Sequence, residues 1–244
     1  MKNEVAVSAN ADYPVLSAGA DFSEVVRANL GGGGFSAFDL ERIKMPTGGG
    51  KTWAIPSLAG EESRPMISGI IALFNDVRAY WADQDAAGQP PDCSSTNTLV
   101  GVGNPGGQCE NCPHSQWDSG KNERGQACKA IRRLFLLRPK TYLPALVALP
   151  PTSLKACRQY MMRITNAALP YWRVVTEMRL TAEKNPDGLP YSQVIFSAAA
   201  DAKGDLIMLT EEEGKQIKSY AAGLQAALAG TPIATEDYVI TNPE

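Results

Sequence analysis

IRRLFLLRPKTYLPALVALPPTSLKACRQYMMRITNAAL, residues 131–169, reads as strand, turn, strand and helix in close succession. IRRLFLL (131–137) and ALVAL (145–149) are short runs rich in branched and apolar residues, and RPKTYLP between them is a turn. The period then changes. Leu154, Cys157, Met161, Ile164 and Ala168 recur at helical spacing, Thr152 or Ser153 can cap the first turn, and Pro170 marks the end. Upstream, MISGIIALFNDVRAYW (66–81) is one long strand. Downstream, YWRVVTEMRLTAEKN (171–185) and YSQVIFSA (191–198) are strands joined by the hairpin signal NPDGLP. The order strand, strand, strand, helix, strand, strand is that of an OB-fold, whose helix lies between the third and fourth strands. The fold class expected is therefore mainly β, an OB-like barrel with two or three helices.

Further out the signals are local. DFSEVVRANL (21–30) reads as a short helix with Ser23 as N-cap and Gly31–Gly34 as its stop. The end of FSAFDLERIKM (35–45) reads as a strand, PTGGGKTW (46–53) as a Gly-rich turn and AIPSLAGEES (54–63) as a loop. TEEEGKQIKSYAAGLQAALAG (210–230) is a helix with Thr210 and Glu213 as a capping box and Gly230 as its close. The chain thus divides into an N-terminal arm (1–34), the barrel (35–200) and a C-terminal helix with a tail (201–244) that carries Glu236, Asp237 and Glu244.

Between the first two barrel strands lies an insertion, about 88–130, full of Gly, Pro, Asn and Ser. A structureless stretch of that length is rare in a compact domain unless something organises it. Its four cysteines supply the means: Cys93, fifteen residues, Cys109, two residues, Cys112, fifteen residues, Cys128. A Cys-x-x-Cys turn brings two thiolates to one tetrahedral ion, and the outer pair completes a zinc ribbon if the arms fold back. A closed four-thiolate site has no open position for water, which points to structural Zn2+ rather than catalysis. The competing readings are a redox pair or unrelated buried thiols. His114, the only histidine, rivals Cys93 as a ligand, but a third donor so close to Cys109 and Cys112 would strain the site. Cys157 falls on the apolar stripe of the helix and reads as core.

Hydrophobic residues make up 44% of the 244 and charged residues 20%, enough for a core without disulfides. No apolar run approaches the roughly 18 residues of a membrane span, and the N-terminus has no signal-peptide pattern. A reducing, cytoplasmic setting is expected. The net charge of −3 conceals an asymmetry. Ten of the 23 basic residues lie between Lys121 and Arg163 against one acid, Glu123, so that stretch carries +9 and the remainder −12. Single-strand binding needs cations for phosphates and rings for bases. The candidates are Lys51, Trp53, Arg78, Tyr80, Trp81, Trp117, Lys129, Arg132, Arg133, Phe135, Arg138, Lys140 and Tyr142. Arg132, Arg133, Arg138 and Lys140 are the expected phosphate contacts, and Trp81, Trp117 and Tyr142 the expected stacking rings. For any one aromatic the alternative is a place in the core.

MPTGGGKT (45–52) resembles the phosphate-binding loop of RecQ-type helicases. The surroundings disagree: Pro56 and Gly60 follow where a helix is required, Met45 replaces the first glycine, and Asp76 is the only carboxylate near an apolar strand. The segment reads instead as a loop by which backbone, Lys51 and Trp53 approach a ligand. One histidine and no GxSxG leave no other catalytic constellation.

DLERIKMPTGGG-x-x-W-x-I-P, DVRAYW, CENCPHSQW, GQACKAIRRLFLL, LPPTSLKACRQYMMR and YSQVIFS cover most of 35–197. They resemble a family of zinc-containing, OB-fold, single-stranded-DNA-binding-like proteins of phages, plasmids and integrated mobile elements. The family's usual form lacks the Lys-Thr pair after the glycines. The resemblance implies a non-enzymatic protein that coats single strands in replication, recombination or transfer of a mobile element. Replication or recombination proteins reached through the acidic tail are further expected partners. A zinc-stabilised protein-interaction module and a P-loop nucleotide hydrolase are the rival readings.

Overall fold

The computed structural model describes residue 13 and residues 22–31, 39–83 and 89–227. The expected helix closure at Gly230 and the acidic tail with Glu236, Asp237 and Glu244 lie outside these residues. Helix α1 spans Phe22–Leu30, so Ser23 sits inside it rather than capping it, and Gly31 follows in a left-handed conformation (φ 77°) with its N–H donated to the Arg27 carbonyl.

The strands are β1 (Trp53–Ser57), β2 (Gly60–Arg64), β3 (Met66–Tyr80), β4 (Cys93–Ser95), β5 (Val100–Gly103), β6 (Gly107–Gln108), β7 (Lys129–Leu137), β8 (Ala145–Leu149), β9 (Val175–Lys184) and β10 (Pro190–Ala198). Helix α2 spans Pro151–Asn166 and α3 spans Glu211–Ala227. The fold is mainly β. Its principal sheet is open and runs β10-β9-β3-β7-β8, with α2 between β8 and β9 in the chain. All these pairings are antiparallel. β3 is the pivot. Its first residues pair with β9 (Ile67 with Met178), its length pairs with β7 (Val77 with Ile131), and its end pairs with β4 (Tyr80 with Cys93).

Both faces of this sheet are covered. On one, Leu134, Leu136, Val147, Leu149 and Met178 pack with Cys157, Tyr160 and Ile164 of α2. On the other, Ile70, Leu137 and Val175 meet Ile217 and Ala221 of α3. β7 therefore alternates between two buried surfaces, which removes several expected ligand contacts. Phe135 is core, packed with Leu146 and Leu224. Arg133 is buried and donates to Asn75.

Two further expectations are corrected. AIPSLAGEES is not a loop but the β1–β2 hairpin, whose second strand is exposed along its length. Neither Thr152 nor Ser153 caps α2: Pro150 occupies the cap position, and Ser153 Oγ instead accepts the Val194 N–H of β10. The end of FSAFDLERIKM forms only isolated bridges, Arg42 with Leu146 and Lys44 with Ala54. Other local signals hold. In the β9–β10 turn, Asn185 Oδ1 accepts from Asp187 and Leu189, and Thr210 and Glu213 form the reciprocal capping box.

Candidate metal centre and nucleic-acid interface

The cysteine loop leaves the sheet at the end of β3 and returns at β7. Its first ligand candidate, Cys93, is fixed by ladder pairing, opposite Tyr80 on one side and Gly103 on the other. Gly101 faces the Cys93 sulfur so closely that any side chain there would collide with it. Cys109 and Cys112 form a tight turn in which Cys112 N–H donates to the Cys109 carbonyl. Ser115 Oγ donates to the Cys109 and Cys112 carbonyls, fastening the turn. Cys128 is anchored by its N–H to the His114 carbonyl at 2.7 Å. Residues separated by up to 35 positions thus converge. Cys93, Cys109, Cys112 and Cys128 all line one cavity of about 10 Å3, together with Arg78 and His114. None of the four is in a disulfide. The His114 ring also borders this cavity, and it is stacked on Tyr80 with centroids 4.0 Å apart.

Burial pushes the Cys128 thiol up to about 11, and the Arg78 guanidinium beside it acts in the opposite direction. Arg78 Nη1 is buried without a hydrogen-bond partner. A lone buried cationic nitrogen is costly, and it calls for negative charge at the cavity wall. Four thiolates around a zinc ion would supply that charge with no other ligand, in a cavity with space for about one small atom. The donor set fits the ion. Among the described residues no three His, Cys, Asp or Glu side chains stand as a formed metal cage, so the fit lies in the convergence of donors rather than in a finished coordination shell.

The expected nucleic-acid contacts scatter. Trp53 is fully buried with its Nε1–H donated to the Met178 carbonyl, and Trp81 is buried with its Nε1–H donated to the Gln89 carbonyl. With Phe135, these rings are core and cannot stack on a base. Arg132 grips Asp76 through two hydrogen bonds of 2.7 and 2.8 Å, lies over the Phe74 ring, and keeps little exposure. Arg133 is buried, and Arg138 reaches Glu41 at 3.4 Å. Arg78 and Tyr80 belong to the cysteine cavity. Lys129 is half-buried and engaged. Lys51 and Lys140 are exposed, as is Tyr142, whose carbonyl accepts from the Tyr220 hydroxyl. Trp117 stands out, 77% exposed on the cysteine loop.

Sequence reasoning missed two features of this region. Arg124 Nη1 donates to both carboxylate oxygens of Asp187, each at 2.8 Å, fastening the cysteine loop to the β9–β10 turn. Sixty-three positions separate the two residues, and no local signal joins them. Leu99, Val100 and Val102 are also exposed on the small hairpin of the loop, and Leu99 borders a hollow of about 260 Å3 that Arg78, Gln108 and Glu110 help to line. No known protein family, curated protein or solved structure matches the chain. Among the described residues no helix is long and apolar enough to cross a membrane.

Proposed function

We propose that this protein binds single-stranded nucleic acid through an OB-like sheet whose first connection is a loop held by structural zinc. One observation carries the reading. The strand order β10-β9-β3-β7-β8, with α2 between β8 and β9 and the cysteine loop between β3 and β7, follows the chain order and neighbours of an OB-fold. Connections at that position carry ligand contacts in such folds. Here the connection presents Trp117 to solvent. Cys93, Cys109, Cys112 and Cys128 are the zinc ligands in this reading, and the ion's contribution is to order a loop poor in apolar residues. DNA as the preferred strand, and a role in replication, recombination or transfer of a mobile element, rest on the motif resemblance alone. The Gly-rich segment runs into strand β1 rather than a helix, which favours a binding role over nucleotide hydrolysis.

Fluorescence anisotropy with labelled oligo(dT) at two salt concentrations tests the reading, together with metal analysis of the purified protein. Salt-sensitive, sequence-tolerant binding and one zinc per chain are expected. Trp117→Ala should weaken binding by about 1–3 kcal/mol while leaving the fold intact. Absence of binding at low salt would defeat the proposal.

A second reading has its own observation. Leu99, Val100, Val102 and Trp117 are apolar, exposed and carried on the one loop, which suits a protein partner. Oligonucleotide binding that is absent, in a protein that retains zinc, would favour it.

A further inference from the structure

Of the four basic residues expected to hold phosphates on and just after β7, three are committed elsewhere, Arg132 to Asp76, Arg133 to Asn75 within the core and Arg138 to Glu41, and Lys140 alone is exposed. The charge of the 121–163 stretch survives on a different surface. Helix α2, PTSLKACRQYMMRITN, contains no acid. Its buried residues are Ser153, Cys157, Tyr160 and Ile164. At 100° per residue the exposed Lys155, Arg158, Gln159, Met162, Arg163 and Asn166 fall within about 140° of the opposite side. Lys155, Arg158 and Arg163 have no acidic partner among the described residues.

The surroundings keep the same sign. α2 packs against β10, β7 and β8. β8 and β10 contain no charged residue, and β7 contains Lys129, Arg132 and Arg133 with no acid. Two carboxylates on the strands of this sheet are already paired, Asp76 of β3 with Arg132 and Glu177 of β9 with Arg179. Three unpaired cations on one helix face, bordered by strands without free acid, form a positive strip on a chain whose net charge is negative. The flexible stems of these side chains suit a repeating, irregularly spaced polyanion, and Met162 offers an adaptable apolar contact between them.

We propose that the exposed face of α2 is the track for the sugar–phosphate backbone of the bound single strand. The proposal rests on the single-strand reading above and relocates its phosphate contacts from β7 to Lys155, Arg158 and Arg163. The test is anisotropy titration with labelled oligo(dT) across a salt series. The variant carries Lys155→Glu, Arg158→Glu and Arg163→Glu, and its control carries Lys203→Glu, Lys215→Glu and Lys218→Glu, which changes net charge equally elsewhere. The α2 variant should lose tenfold or more in affinity at low salt. Its slope of log affinity against log salt should shrink by about 2, at about 0.7 for each lost phosphate contact on a single strand. The control should stay within about threefold of the parent. All three α2 positions are exposed, so thermal melting should be unchanged. A glutamine version of the triple change, which neutralises without reversing, should show a smaller loss in the same direction. If the parent binds no oligonucleotide, the single-strand reading falls and the track with it. If the parent binds but the α2 variant keeps its affinity and slope, or the control loses as much, the track alone is overturned.

Discussion

The β3–β7 ladder and the cysteine loop that it carries are held together by different means. In the ladder, Ile70, Ile71, Val77, Leu134, Phe135, Leu136 and Leu137 are all buried, and every second residue meets a separate hydrophobic layer. In the loop between Cys93 and Cys128 the buried residues are few: the two cysteines themselves, Ser95, Gly101, Ser115 and Ala127. Its apolar side chains Leu99, Val102 and Trp117 face outward. Hydrophobic burial stabilises the first region, at about 25 cal/mol for each Å2 removed from water. That term is nearly absent in the second, which depends on turn hydrogen bonds, an ion pair and whatever joins its four thiols. The lesson is that adjacent parts of one sheet can differ in what unfolds them.

The largest break in this comparison should come from the framework. Trp53 is fully buried in the main core and bonded to the Met178 carbonyl, so Trp53→Ala should cost about 3–5 kcal/mol, read as a lower urea midpoint for the whole protein. A shift under about 1 kcal/mol would show that the N-terminal segment is not integral to the core.

Cys109→Ser should act on the loop alone. Zinc content should fall from about one per chain to near none, and amide exchange should speed up between residues 93 and 128 while the β3–β7 amides keep their protection. Uniform exchange across both regions would contradict the division.

Arg124→Ala should have the smallest effect, under about 1 kcal/mol in global stability, because both partners of the Asp187 pair are more than half exposed. Its value is in sharpening the comparison. Exchange should rise at residues 118–126 and in the β9–β10 turn together, since one contact ties them. A change in only one of the two would show that the pair does not couple them.

Much of the framework was legible because its signals are local. The β-branched run 66–81 is β3 within one residue, ALVAL is β8, and the Thr210–Glu213 box opens α3. GEESR escaped because an exposed edge strand has no apolar alternation to show. The convergence of the four cysteines followed from their spacing, since the chemistry that spacing serves needs them together. The burial and pairing of the basic and aromatic residues expected to contact nucleic acid were not legible. Basic and aromatic residues alternating on a strand look like a binding surface when one face is taken to be solvent. β7 is covered on both faces, by α2 and α3, and periodicity within the strand cannot reveal that. Nor can it reveal that Arg132 meets an acid 56 positions away. The basic face of α2 was within reach, because a 16-residue helix without a single carboxylate is visible in composition.

The run β10-β9-β3-β7-β8 ends in two outer strands, and the margin of each is partly occupied. Beside β8, Ile43 N–H donates to the Leu146 carbonyl and Leu146 N–H to the Glu41 carbonyl. Beside β10, Val194 N–H donates to Ser153 Oγ and Ser192 Oγ to the Gly50 carbonyl. Unpaired strand margins template the addition of further strands from other molecules. Protection against that self-association is therefore delegated to residues 41–50 and to one serine of α2, none of which belongs to the sheet. Loss of these contacts would open both margins to pairing with other molecules without removing any side chain from the core.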